Sequence, residues 1–154
     1  MREAVDVPVT VKCRIGIDDQ DSEADLNRFV DSVAQADCSL FVIHARKAWL
    51  EGLSPKENRD IPPLDYDRVY RLKARRPDLE IVINGGIETL DDADKHLAHV
   101  DGAMLGRAAY HTPYVLAEVD QKYFGADQPV PTRADIVTGL IPYIENEMAR
   151  GVRM

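Results

Sequence analysis

Residues 80 to 92 read Glu80-Ile81-Val82-Ile83-Asn84-Gly85-Gly86-Ile87-Glu88-Thr89-Leu90-Asp91-Asp92, and this stretch decides the fold. Glu80 to Asn84 is a short β-branched run closed by two glycines, which predicts a strand ending in a tight turn. Thr89, with Asp92 three residues on, has the spacing of a capping box and predicts a helix through Ala98. Strand, glycine turn and capped helix make one βα unit, and the same grammar recurs on both sides of it. Upstream, Val9 to Arg14 reads as a strand; a polar loop, Ile17 to Asp21, leads to Ser22, which caps a helix carrying Leu26, Phe29, Val30, Val33 and Ala34 at helical spacing. Leu40 to His44 is the next strand. A long loop, Ala45 to Leu64, holds Gly52, Pro55, Pro62 and Pro63, and its length inside a compact unit points to function. Asp65 then caps a helix that Pro77 ends. Downstream, Gly102 to Gly106 is a fourth strand leading into Arg107, Ala108 and Ala109, and Thr112-Pro113 opens a helix to about Phe124.

Strands alternating with amphipathic helices predict an α/β fold with a parallel sheet. Four units with right-handed crossovers form an open sheet or part of a (β/α)8 barrel, and the strand ends favour the barrel. Side-chain parity sets Val9, Val11 and Cys13 under the helices and Lys12 on the opposite face. Leu40, Val42 and His44 share a face, as do Val82 and Asn84. Lys12, His44 and Asn84 thus each end a strand on what can be the barrel interior, where such enzymes carry their chemistry. A full barrel takes about 250 residues, so four units are expected to be half of one. Residues 125–131, with Gly125, Asp127, Pro129 and Pro131, read as a linker. Thr132 then caps a helix presenting Ile136, Val137, Leu140, Ile141, Ile144 and Met148 on one face, with Pro142 expected to kink or shift it.

The chain has 154 residues, 45% of them apolar and 30% charged, which suits one ordinary folded domain and excludes a disordered tail. No run approaches the ~20 apolar residues of a membrane span, and Met1 is followed by Arg2, Glu3, Asp6 and Pro8 rather than an apolar signal core, so a cytoplasmic protein is expected. Cys13 and Cys38 are too few for a disulfide framework and no His/Cys pair has zinc spacing, so no metal is expected. Nineteen basic against 27 acidic residues give a net charge of -8, and any polyanion site must therefore be local.

The turns Asn84-Gly85-Gly86 and Gly106-Arg107 let backbone N–H groups approach an anion, with Arg107 as a bidentate donor. Barrels hold phosphate after strands 7 and 8, which would make the four strands the last four. Tight strand-to-helix connection alone also accounts for both glycine turns. Lys12, in an apolar strand, requires an anionic partner, either a ligand or a neighbouring carboxylate. His44 is a candidate cofactor contact or a hydrogen-bonded structural residue. Cys13 and Cys38 read as buried, inert thiols. Arg46, Lys47, Lys56 and Arg59 stand with Trp49 in one loop, able to grip an RNA backbone or to remain a solvated face balanced by Glu51, Glu57 and Asp60. The cluster Arg71, Lys73, Arg75 and Arg76 suits a helix C-terminus.

The run from Val9 to about Phe124 resembles the second half of the tRNA-dihydrouridine synthases. The resemblance rests on Val11-Lys12-Cys13-Arg14-Ile15-Gly16, His44-Ala45-Arg46-Lys47-Ala48, Gly52-Leu53-Ser54-Pro55-Lys56-Glu57-Asn58-Arg59, Ile83-Asn84-Gly85-Gly86-Ile87 and Gly106-Arg107-Ala108-Ala109-Tyr110. The long loop is the most specific piece and is similar to the A-type subfamily, which modifies uridines 20 and 20a of the tRNA D-loop. The resemblance implies residues 1–124 as the C-terminal half of an FMN-binding TIM barrel, a linker at 125–131, and the start of a helical tRNA-binding domain at 132–154. It implies Lys12 and His44 as FMN ligands, with the FMN phosphate against Asn84, Gly85, Gly86, Gly106 and Arg107. Lys56 and Arg59 then read tRNA, supported by Arg46 and Lys47. In the family NADPH reduces the flavin, hydride passes to uracil C6, and a cysteine on an earlier barrel loop protonates C5. Nothing here corresponds to the first four units, so no catalytic acid is assigned in this chain. The isolated chain is expected to bind FMN weakly and not to turn over. The alternatives are a self-pairing FMN- or phosphate-binding half-barrel and a flavin oxidoreductase for a small metabolite.

Overall fold

A computed structural model describes residues 2–152. The first of two compact units runs to Tyr110 and the second begins at His111. After a 3-10 turn, Arg2–Ala4, the first unit contains β1 (Val11–Arg14), α1 (Glu23–Ala34), β2 (Leu40–His44), a 3-10 turn Glu57–Arg59, α2 (Tyr66–Arg75), β3 (Glu80–Asn84), α3 (Leu90–Leu97) and β4 (Gly102–Met104). The four strands are parallel and lie in the order β1-β2-β3-β4. Sequential order means that every crossover turns the same way, so the helices share one face. The buried set confirms it: Phe41, Ile43, Ile81 and Ile83, alternate residues of the two central strands, pack with Leu26 and Val30 of α1, Val69 and Leu72 of α2 and Ala93 of α3. Each such apolar side chain contributes about 1.5–3 kcal/mol relative to exposure.

The helices start where their caps dictate. The Ser22 hydroxyl accepts from Asp25 N–H and Asp25 returns a bond to the Ser22 backbone, a closed capping box. Asp65 accepts from Arg68 N–H and Thr89 from Asp92 N–H. Three expectations shift. β1 begins at Val11, because its register with β2 opens at Val11 against Phe41; the Val9 carbonyl instead lies 3.6 Å from the Cys38 thiol. β4 ends at Met104, opposite Asn84, which frees Leu105 and Gly106 for the following turn. Phe29 is exposed, although it has helical spacing with the buried residues of α1.

From Arg107 the chain forms a short helix, α4 (Arg107–His111), then a 3-10 turn Pro113–Leu116 and α5 (Val119–Phe124), in place of one helix from Thr112. Gly125, at φ +65°, ends α5 in the left-handed region. In the second unit α6 (Arg133–Ala149) starts at a capping box between Thr132 and Asp135 and runs through Pro142. Its Ile136, Val137, Leu140, Ile141 and Met148 are exposed. Among the described residues no helix is long and apolar enough to cross a membrane.

Candidate functional site

The sheet face opposite the helices carries Lys12, Val42, His44, Val82 and Asn84, in register along β1 to β3: Lys12 pairs with Val42, and His44 with Asn84. At the C-terminal ends of these strands a cleft of about 120 Å³ is lined by His44, Arg59, Asn84, Gly85, Gly86, Ile87, Glu88, Gly106, Arg107 and Ala108. Seven residues named from the sequence, Arg59 among them, thus meet in one place. Asn84 is held there by its own strand partner, donating from Nδ2 to the Met104 carbonyl at 2.9 Å.

The glycines are required by space as well as by φ. Gly85 lies at φ +120°, and a Cβ on it would fall 2.7 Å from His44 Cδ2 and 2.9 Å from Leu64 Cδ2. Gly86 lies at φ +67°, where a Cβ would stand 2.8 Å from Leu64 Cδ1 and 3.0 Å from the Tyr66 hydroxyl. The Gly86 N–H donates to no protein acceptor among the described residues. A bare glycine turn with a free amide beside an arginine suits a phosphate.

The electrostatics agree. His44 has its pKa lowered to about 4 by burial first and then by Arg14, Lys12, Arg46 and Arg107, so it is a neutral imidazole at physiological pH. Lys12 is exposed on this face, its pKa lowered by partial burial and by Arg14. Lys12 makes no ion pair among the described residues. A chain of net charge -8 therefore gathers cations around one histidine. Two carboxylates stand near them: Glu88 lines the cleft, and Asp60 pairs with Arg107 at 2.8 Å, which holds the Asp60 carboxyl below the usual range.

The long loop is built around Asn58, which is buried. Asn58 Oδ1 accepts from Trp49 N–H at 2.8 Å and Nδ2 donates to the Trp49 carbonyl at 2.7 Å. Arg14 donates to the carbonyls of Asn58 and Lys47 at 2.8 and 3.0 Å, tying the end of β1 to the loop. Arg46 donates to the carbonyls of Asp60 and Pro62, and Lys47 pairs with Asp21 at 2.6 Å. The side chains of Lys56 and Arg59 are exposed and make no hydrogen bond or ion pair among the described residues; their backbones are joined by Arg59 N–H donating to the Lys56 carbonyl at 3.0 Å. Arg14 and Asn58 had no sequence signal for these roles, because each acts through a tertiary partner; Asp60 was legible as a counter-charge, though not as the partner of Arg107. Cys13 packs on the helix side and burial pushes its thiol up to about 11; Cys38 is buried. No group of three or more metal-ligating side chains occurs among the described residues.

The family model described as dihydrouridine synthase matches residues 1–154. The chain belongs to the dihydrouridine synthase family. It is 56% identical over 155 residues to a tRNA-dihydrouridine(20/20a) synthase of Vibrio cholerae, covering 100% of this chain and 47% of the relative. It is 59% identical over 152 residues to the protein of that name from Vibrio parahaemolyticus, with 98% and 47% covered. Against that of Pseudomonas putida it is 58% identical over 154 residues, with 100% and 46% covered. The chain spans about half the length of these curated relatives. Within the dihydrouridine synthase family, then, this portion brings a glycine cleft, a cation cluster and a pinned basic loop to one end of a parallel sheet.

Proposed function

We propose that this chain supplies one wall of the active site of an enzyme that reduces uridine 20 or 20a in the tRNA D-loop to dihydrouridine. The four βα units are the C-terminal half of a TIM barrel, residues 1–124; residues 125–131 link it to a helical tRNA-binding domain beginning at 132. The observation that carries the reading is the cleft of Asn84, Gly85, Gly86, Gly106 and Arg107, which fits the phosphate of FMN: a turn bare of Cβ atoms, a free amide and a guanidinium. When bound and reduced by NADPH, FMN supplies the hydride.

In this reading Lys12 and His44 contact the flavin from the open face of the sheet. A neutral His44 can donate from one ring nitrogen and accept at the other. Lys12 would supply positive charge toward an anionic group of the bound flavin or substrate. Lys56 and Arg59 grip the tRNA backbone on the rim, so that a target uridine can leave the stack. Arg46 and Lys47 add positive field while their own bonds keep the loop in shape. No residue of this chain serves as the proton donor, and the isolated chain does not turn over. The substrate makes this a cytoplasmic enzyme.

The test uses a full-length protein containing these residues. NADPH oxidation should be stimulated by tRNA lacking dihydrouridine, and Lys56→Ala should raise KM for tRNA about threefold to tenfold with flavin content unchanged. Oxidation indifferent to tRNA would refute the substrate.

A further inference from the structure

We propose that Tyr66 is a positioning residue for the phosphate-bearing ligand of this cleft: its hydroxyl holds the Gly85–Gly86 peptide so that an N–H, not a C=O, faces the anion. The inference rests on the phosphate reading above and adds a residue to it.

Tyr66 opens α2, directly after the capping Asp65, and its hydroxyl donates to the Gly85 carbonyl at 2.8 Å. There are no cis peptides among the described residues, so the Gly86 N–H points opposite to that carbonyl. Tyr66 does not line the cleft, whereas Gly85 and Gly86 both do. The carbonyl is thus drawn out of the cleft and the amide turned the other way, where it has no protein acceptor. A Gly-Gly peptide needs such a lock. With no Cβ on either side, both orientations are accessible, and the flipped one would present a carbonyl oxygen to the phosphate.

The hydroxyl is itself fixed. The Tyr66 ring meets the His96 ring edge-on at 4.4 Å, and His96, a buried residue of α3, shares a 2.7 Å hydrogen bond between Nδ1 and the Tyr70 hydroxyl. Tyr70 in turn stacks on His99 at 4.3 Å. This file of rings sets where the Tyr66 oxygen stands, and none of its other members touches the glycine turn through a hydrogen bond.

The experiment titrates a full-length protein containing these residues, stripped of its flavin, with FMN and with riboflavin, which lacks only the phosphate, following flavin fluorescence. Wild type should prefer FMN. Tyr66→Phe, which keeps the ring and removes the oxygen, should weaken FMN about fivefold and leave riboflavin within about twofold. Tyr143→Phe, at an exposed tyrosine of α6, should leave the preference intact. Equal weakening of both flavins by Tyr66→Phe, or an FMN preference that survives it, would overturn the positioning role while the phosphate reading stands. A wild-type full-length protein that binds both flavins alike, or neither up to about 1 mM, would overturn the phosphate reading and this inference together.

Discussion

Asn58→Ala should loosen the basic loop without unfolding the sheet. The amide of Asn58 makes two short hydrogen bonds, both to the backbone of Trp49, at 2.8 and 2.7 Å; its contacts to Leu53 and Ser54 carbonyls, at 3.4 and 3.5 Å, add little. A satisfied hydrogen bond of this kind is worth about 1 kcal/mol net, and a freed backbone group that water does not fully reach adds about as much again. Trp49 is half-buried, so water reaches it in part, and the sum is about 2–3 kcal/mol. That energy corresponds to a loop-opening constant larger by roughly 30- to 150-fold. Trp49 is the single tryptophan of the chain, so its emission reports on the loop alone. The expected result is a red-shifted emission and an exchange rate of the Trp49 amide raised by that factor. Amides of the central strands should slow or quicken by much less, because the Arg14 bonds reach loop carbonyls that the substitution leaves in place. A Trp49 amide whose exchange changes less than about threefold would refute the view that Asn58 pins this loop.

Gly85→Ala should cost about 2–4 kcal/mol by urea denaturation, since φ +120° is strained for alanine and the new Cβ lands 2.7 Å from His44 Cδ2. With its thiol pushed up to about 11 from an ordinary 9.0, Cys13 should react with iodoacetamide at neutral pH about 100-fold more slowly than an exposed cysteine, as intact mass would show. His44 carries a folded pKa of about 4 against 6.5 unfolded, so the unfolded chain binds more protons between these values and His44 makes stability fall as pH drops from 6.5 to 4. In His44→Gln that part of the pH slope should be missing from denaturation midpoints measured across the window.

The elements legible from sequence are those set by local rules. β2 and β3 run Leu40–His44 and Glu80–Asn84 because apolar runs end at a histidine and at a glycine pair, and Ser22, Asp65, Thr89 and Thr132 start helices because each supplies the oxygen its N3 amide needs. Where neighbours decide, the sequence alone falls short. The start of β1 depends on where β2 can pair, and Phe29 has a buried residue's spacing yet is exposed. Thr112-Pro113 looks like a helix start, yet the backbone begins a turn earlier at Arg107 and tightens to a 3-10 turn after the proline. The cleft was legible because its glycines and Arg107 carry their chemistry in their identity. The residues that shape it, Asn58, Asp60 and Tyr66, have ordinary identities and act only through partners many positions away.

The most direct test is to express a full-length protein containing these 154 residues in bacteria deleted for their own dihydrouridine synthases, then to digest the tRNA and map dihydrouridine by mass spectrometry. The account predicts dihydrouridine restored at positions 20 and 20a, and lost when Lys12 and His44 are both replaced by alanine. A soluble, flavin-loaded protein that leaves both positions as uridine would contradict it.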